Sequence, residues 1–212
     1  MDIDNIKLEW LGHASVRIVS DRVIYIDPYK INSKEKADLI LITHGHYDHC
    51  SIEDIQKISK PETIIVATTD CSSKLSGKVD VAEVKLASPG TAIDADGVKI
   101  EVVPAYNVGK QFHPKGNDWV GYIIDAKGKR IYHAGDSDFI PEMKSIKADI
   151  ILLPIGGTYT MTPEEAAEAA NTINPSILAV PIHFGEIVGT KADAEKFKAL
   201  CKCEAKILEK SI

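Results

Sequence analysis

No run of about eighteen apolar residues occurs in the 212-residue sequence, so no segment has the character of a membrane-spanning helix. Cysteine is scarce. The four present, Cys50, Cys71, Cys201 and Cys203, form neither a CxxC pair nor the spacing of a disulfide framework, which leaves reduced thiols as the default. Positive charge is short as well: 25 Lys and Arg against 31 Asp and Glu give a formal net charge of −6. That balance argues against broad binding of nucleic acid and for a small-molecule substrate. Residues 1–9 alternate acidic and apolar side chains without the basic start and hydrophobic stretch of a secretory leader, so a cytoplasmic location is expected. No serine stands in a G-x-S-x-G elbow, which removes one common hydrolase arrangement. Linkers, low-complexity stretches and residue-level repeats are lacking too, and residues 1–212 read as a single domain.

What is present is a series of short runs rich in Val and Ile, each of strand length: residues 7–11, 15–19, 22–26, 38–43, 63–67, 81–86 and 98–105, then 119–124, 130–134, 149–154 and 177–182. Helices are fewer. The clearest opens at Thr162-Pro163-Glu164-Glu165, where Thr162 caps, Pro163 fills the first turn and Glu165 completes a capping box. It should run to about Ile173, ahead of Pro175. A second starts after Ser51 with Ile52, Ile55 and Ile58 on one face, and a third covers about residues 193–201 with Phe197 and Leu200 inward. Shorter helical turns follow Asp70 and Pro141. Early strands come as hairpins and later ones alternate with helices, which predicts an α+β fold of two mixed sheets packed face to face with helices outside.

The buried-strand run 38–43 leads directly into His44-Gly45-His46-Tyr47-Asp48-His49. Three histidines and an aspartate at such density suit Zn²⁺, with Mn²⁺ or Fe²⁺ as alternatives, and a loop leaving a rigid strand holds them at little ordering cost. Gly45 lets the backbone turn. Residues two apart can project to one side, so His44 and His46 can share one ion while Asp48 and His49 face a second. Cys50 next to them reads as a small buried hydrophobe.

This run matches the HxHxDH motif of the metallo-β-lactamase superfamily at every fixed position, and the chain resembles that superfamily well beyond it. Gly12-His13-Ala14-Ser15, Ile26-Asp27-Pro28, Tyr132-His133-Ala134-Gly135-Asp136, Pro154-Ile155-Gly156-Gly157 and Pro181-Ile182-His183-Phe184-Gly185 are similar to the branch containing ascorbate-6-phosphate lactonase and N-acylphosphatidylethanolamine phospholipase D. The resemblance covers roughly residues 8–188. It implies a four-layer αββα sandwich (metallo-β-lactamase fold) with two pseudo-equivalent halves and a dinuclear site at one edge. It also implies that Asp136, in the family's Gly-Asp motif, bridges two ions and that His183 is the last histidine ligand. Many relatives carry a histidine where Asn107 stands here. The only histidine in that interval is His113, in the polar loop 110–118, so either His113 folds back as a ligand or Asn107 or water takes the place. The expected metal set is therefore His44, His46, Asp48, His49, His113, Asp136 and His183.

His133 lies three residues before Asp136, on the opposite side of a regular strand, and reads as structural. Asp27 is placed to accept a hydrogen bond from a ligand histidine and fix its tautomer. His13 divides between packing and a role near the substrate, including protonation of a leaving group, for which water is the alternative. Tyr159 and Thr160, in the loop before the capped helix, are candidate substrate contacts. The expected chemistry is hydrolysis of a small ester, lactone or phosphodiester by a metal-bridged hydroxide, with Asp48 central to it. An RNA-processing nuclease and a metal-binding regulatory domain without turnover are the rival readings.

Overall fold

Runs of β-branched residues form strands because alternate side chains fill opposite faces of a pleated sheet, and here both faces of most strands have a layer to bury against. A computed structural model describes residues 1–211. The first half builds a seven-stranded sheet in chain order: β1 (Asp2–Ile3), β2 (Ile6–Gly12), β3 (Ser15–Val19), β4 (Val23–Ile26), β5 (Leu39–Ile42), β6 (Ile64–Ala67) and β7 (Glu83–Leu86). The second half builds a six-stranded sheet, also in chain order, from β8 (Ala92–Ala95), β9 (Val98–Pro104), β10 (Val120–Ala126), β11 (Lys129–His133), β12 (Ile150–Pro154) and β13 (Leu178–Ile182).

Both sheets follow one plan. Four strands pair antiparallel, and the strands after them add in parallel through crossovers. Helices α1 (Ile52–Ile58) and α2 (Thr69–Leu75) cover the outer face of the first sheet, where Ile55, Ile58 and Leu75 bury Ile40, Ile42 and Ile65. The intervening Leu39, Leu41 and Val66 join the central core shared with the second sheet. Tyr122 ties the layers together, its hydroxyl donating to the Ile42 carbonyl at 2.7 Å. Helices α3 (Pro163–Ile173) and α4 (Lys191–Leu200) pack on the second sheet through Ala166, Ala170, Ile173 and Phe197. This is the four-layer αββα sandwich of the metallo-β-lactamase fold.

Two short strands were not foreseen. β1 folds back on β2 as a hairpin, and β8 pairs with β9 across Asp96-Gly97, whose φ values of +53° and +85° suit a two-residue hairpin turn. That Asp-Gly pair was the available signal. The capping box at Thr162 forms as expected, with Glu165 N–H donating to Thr162 Oγ1 at 3.2 Å and the Thr162 N–H donating to the Glu165 carboxylate at 2.7 Å. Helix α4 begins two residues before the expected start because Thr190 and Asp193 make a second such box.

Candidate metal centre

β5 ends at Ile42, and Thr43 anchors the chain as it leaves the sheet. Its N–H donates to Asp27 Oδ1 at 2.8 Å and its hydroxyl to Asp27 Oδ2 at 2.7 Å. The chain then coils so that the Cys50 N–H reaches the His46 carbonyl at 2.8 Å, which brings the motif's side chains inward. Gly45 leaves room at this bend for the Asp70 carboxylate, which a Cβ there would have to displace. Lys74 of α2 also donates to the Gly45 carbonyl, closing the coil against the helix.

Side chains from five strand ends meet here in overlapping groups. Donor atoms of His44, His46 and His113 lie within 4.8 Å of one another, as do those of His13, Asp48, His49 and His183, and those of His44, His49 and Asp136. Asp136 is the hinge: its Oδ2 stands 3.1 Å from His183 Nε2, 3.3 Å from His113 Nε2 and 3.4 Å from His49 Nε2. His49 Nε2, His113 Nε2, His183 Nε2 and Asp136 Oδ1 are buried without a hydrogen-bond partner. Such orphaned atoms are costly unless something else binds them. Imidazole nitrogens and carboxylate oxygens with no thiolate suit a borderline divalent cation, so the residues present fit a metal centre.

In three of the rings the Nδ1 atom is occupied. His49 Nδ1 meets Asp27 Oδ2 at 2.8 Å, as the sequence suggested. Because the Thr43 hydroxyl spends its proton on Asp27, it accepts from His44 Nδ1–H at 3.0 Å. His113 Nδ1 faces Asn107 Oδ1 at 3.1 Å and the Tyr159 carbonyl at 3.2 Å. In the neutral form of each of these rings Nδ1 holds the proton and Nε2 turns its lone pair toward the centre.

Burial sets the electrostatics. It lowers the pKa of His44 well below the ordinary histidine value, with His49 adding repulsion, and lowers His46 and His13 less. Burial works against ionisation of Asp136, yet His183 and His49 outweigh it and hold the carboxyl well below the usual range. Asp48 is drawn down to about 2, since the His13 hydrogen bond and His49 overcome the cost of burial. His49 goes the other way: Asp136 and Asp27 overcome burial and raise it well above the usual value.

The structure brings all seven expected ligand residues together, and it gives His113 and Asn107 different positions. His113 is buried with Nε2 facing Asp136, whereas Asn107 contributes hydrogen bonds: Oδ1 accepts from the His113 N–H at 3.0 Å and Nδ2 donates to the Tyr159 carbonyl at 2.9 Å. His13 is fully buried behind Asp48, its Nε2 2.9 Å from Asp48 Oδ2, and is not part of the cavity wall. His133 Nε2 pairs with the Ala14 carbonyl at 2.9 Å, a structural role. Tyr159 lines the cavity; Thr160 is buried beneath it, its carbonyl accepting from Lys110. Cys50 is buried under the first helical layer, as read.

Sequence reasoning passed over Trp119. Its indole packs against His44, His46 and His113 with centroid separations of 4.8, 4.8 and 5.4 Å, and its Nε1–H donates to Asp70 Oδ2 at 3.1 Å. At the head of a strand run, a lone Trp carries no signal of such a place.

The family model described as the beta-lactamase superfamily domain matches residues 7–183. A UPF0173 metal-dependent hydrolase of Thermoplasma acidophilum is 37% identical over 211 residues, covering 93% of this chain and 92% of that one. Among solved structures, a protein of Parabacteroides distasonis described as a metal-dependent hydrolase is 34% identical with a TM-score of 0.84, covering 96% of this chain and 94% of its own. A metallo hydrolase of Ignicoccus hospitalis is 27% identical with a TM-score of 0.78, over 98% and 96% of the two chains.

Proposed function

This chain belongs to the β-lactamase superfamily and is a metal-dependent hydrolase, and from that premise we propose that it cleaves a small ester, lactone or phosphodiester with two divalent ions, Zn²⁺ or else Mn²⁺ or Fe²⁺. The observation carrying the reading is a pair of ligand sets meeting at one carboxylate. His44, His46 and His113 would hold one ion, Asp48, His49 and His183 the other, and Asp136 stands between them. Bound ions supply an activated water and draw off charge developing on the substrate oxygen.

The chain's own groups prepare this. Asp27, Thr43 and Asn107 set three imidazole tautomers. His13 orients the Asp48 carboxylate from behind; away from the cavity wall, it is a positioning residue, and the leaving group takes its proton from water. Residues 12–15, 26–28, 132–136, 154–157 and 181–185 support the narrower kinship with the branch of ascorbate-6-phosphate lactonase and N-acylphosphatidylethanolamine phospholipase D. RNA processing draws no support from a chain of net charge −6.

A screen of lactones, carboxylic esters, phosphodiesters, phosphomonoesters and short RNA with Zn²⁺ and Mn²⁺ tests the reading. Turnover of at least one of the first three classes, lost in Asp48→Ala, is expected. Activity on RNA alone, or none in any class with metal bound, overturns it.

A further inference from the structure

Six large hydrophobic side chains are exposed among the described residues, and three of them, Tyr47, Phe112 and Ile187, converge on one cavity. That cavity has a volume of about 210 Å³ and the metal-binding side chains at its floor. The three come from separate loops, after β5, between β9 and β10, and after β13. They are 68%, 47% and 37% exposed, and none belongs to either hydrophobic core. Folding does not require them to be apolar, because scattered exposed hydrophobes carry little stability, yet they are gathered here into one patch. Phe112 meets the ring of Tyr159 edge-on at 4.7 Å and Tyr47 meets Tyr29 edge-on at 5.9 Å, which presets two walls of the mouth.

Charge points the same way. No Lys or Arg lines the cavity among the described residues. The basic side chains beside it are engaged elsewhere: Lys30 lies over the Tyr29 ring at 5.0 Å, and Lys110 donates to Asp138 at 2.6 Å and to the Thr160 carbonyl at 2.7 Å. Recognition of phosphate ordinarily uses such cations, free and aimed inward.

We propose that the substrate is a neutral carboxylic ester or lactone bearing an apolar acyl or aryl group, held by the rim of Tyr47, Phe112 and Ile187 with its carbonyl toward the ligand cluster. The inference rests on the hydrolase reading above and names its substrate class. Water adds at the carbonyl carbon, the acyl C–O bond breaks, and the products are a carboxylate with its released proton and an alcohol, or one hydroxy acid from a lactone. At about 210 Å³ the cavity lies below the usual size of a small-molecule site, so a longer chain lies across the rim.

The test uses the full chain loaded with Zn²⁺, its metal content measured. Rates are read for p-nitrophenyl esters from acetate to octanoate and for bis-p-nitrophenyl phosphate, and binding of n-alkyl hydroxamates of the same lengths is read by calorimetry. We expect kcat/KM and hydroxamate affinity to rise together, by about fourfold for each methylene the rim buries, and the phosphodiester to be the poorer substrate. Phe112→Ala and Tyr47→Ala flatten the slope through KM of the long esters, while Leu86→Ala, an exposed apolar control outside the cavity lining, preserves it. A flat series, a slope that survives both rim variants, or preference for the phosphodiester overturns the proposal. Loaded protein that turns over neither these compounds nor any class of the wider screen overturns the proposed ester, lactone or phosphodiester reading, and the hydroxamate slope still decides the rim. Protein that takes up no metal overturns both.

Discussion

Single atoms decide what each imidazole here can do. A neutral histidine offers one lone pair, and the partner of its second nitrogen determines where that lone pair points. For His113 the partner is Asn107, whose Oδ1 receives both the His113 backbone N–H and Nδ1–H. Asn107→Ala removes this support without touching a ligand, so metal affinity is expected to fall by about 10- to 100-fold in chelator competition. His113→Ala should lower the metal stoichiometry itself. Unchanged affinity in both variants would exclude His113 from the shell. The motif from His44 to His49 was legible as a set of ligand candidates because its dense residue types carry the signal locally, whereas Asp136 and His183 were legible only through the resemblance of their surroundings to the superfamily. The choice between Asn107 and His113 was not legible, since it depends on how the loop between them closes.

At the scale of the element, strand ends are the delivery device, and several do so under backbone strain. His13, Asp27 and His183, following β2, β4 and β13, have φ of +50°, +46° and +58°, a region that side-chain-bearing residues seldom occupy. These turns aim side chains that a continued strand would send elsewhere. Away from them, elements obey ordinary rules, and most were legible: Thr162 caps α3, and Ile52, Ile55 and Ile58 mark α1. β8 escaped because its four residues, Ala92–Ala95, are short and only partly apolar, so that pairing with β9 decides their conformation. Thr162→Ala dismantles the α3 capping box, and a loss of about 1 kcal/mol is expected in urea unfolding. Because α3 contributes no metal-centre residue, metal affinity should be unchanged; a shift there would mean that α3 orders the centre.

Across the whole molecule, the centre joins residues from His13 to His183, so its formation and the packing of the two sheets are one event. An ion bound only by the folded state should stabilise it by about 2.7 kcal/mol at a free concentration one hundred times Kd, read as a rise in urea midpoint that a chelator reverses. Acid should diminish the gain. His49 is raised well above the usual value, so below that raised pKa loading must displace its proton, and apparent affinity falls as pH falls. Calorimetry in buffers of different ionisation enthalpy measures the released proton; loading without proton release would contradict this sign.

By itself the sequence determined the strand-rich αββα architecture and the chemistry of the ligands, because β-branched patterning, capping residues and a dense histidine run act over a few neighbouring positions. Only the tertiary structure decided which nitrogen of each ring stays free, that Trp119 backs three of the imidazoles, and that three exposed apolar side chains ring one cavity. Those properties arise between residues far apart in the chain, where loop closure and sheet packing set distances that local patterning does not encode.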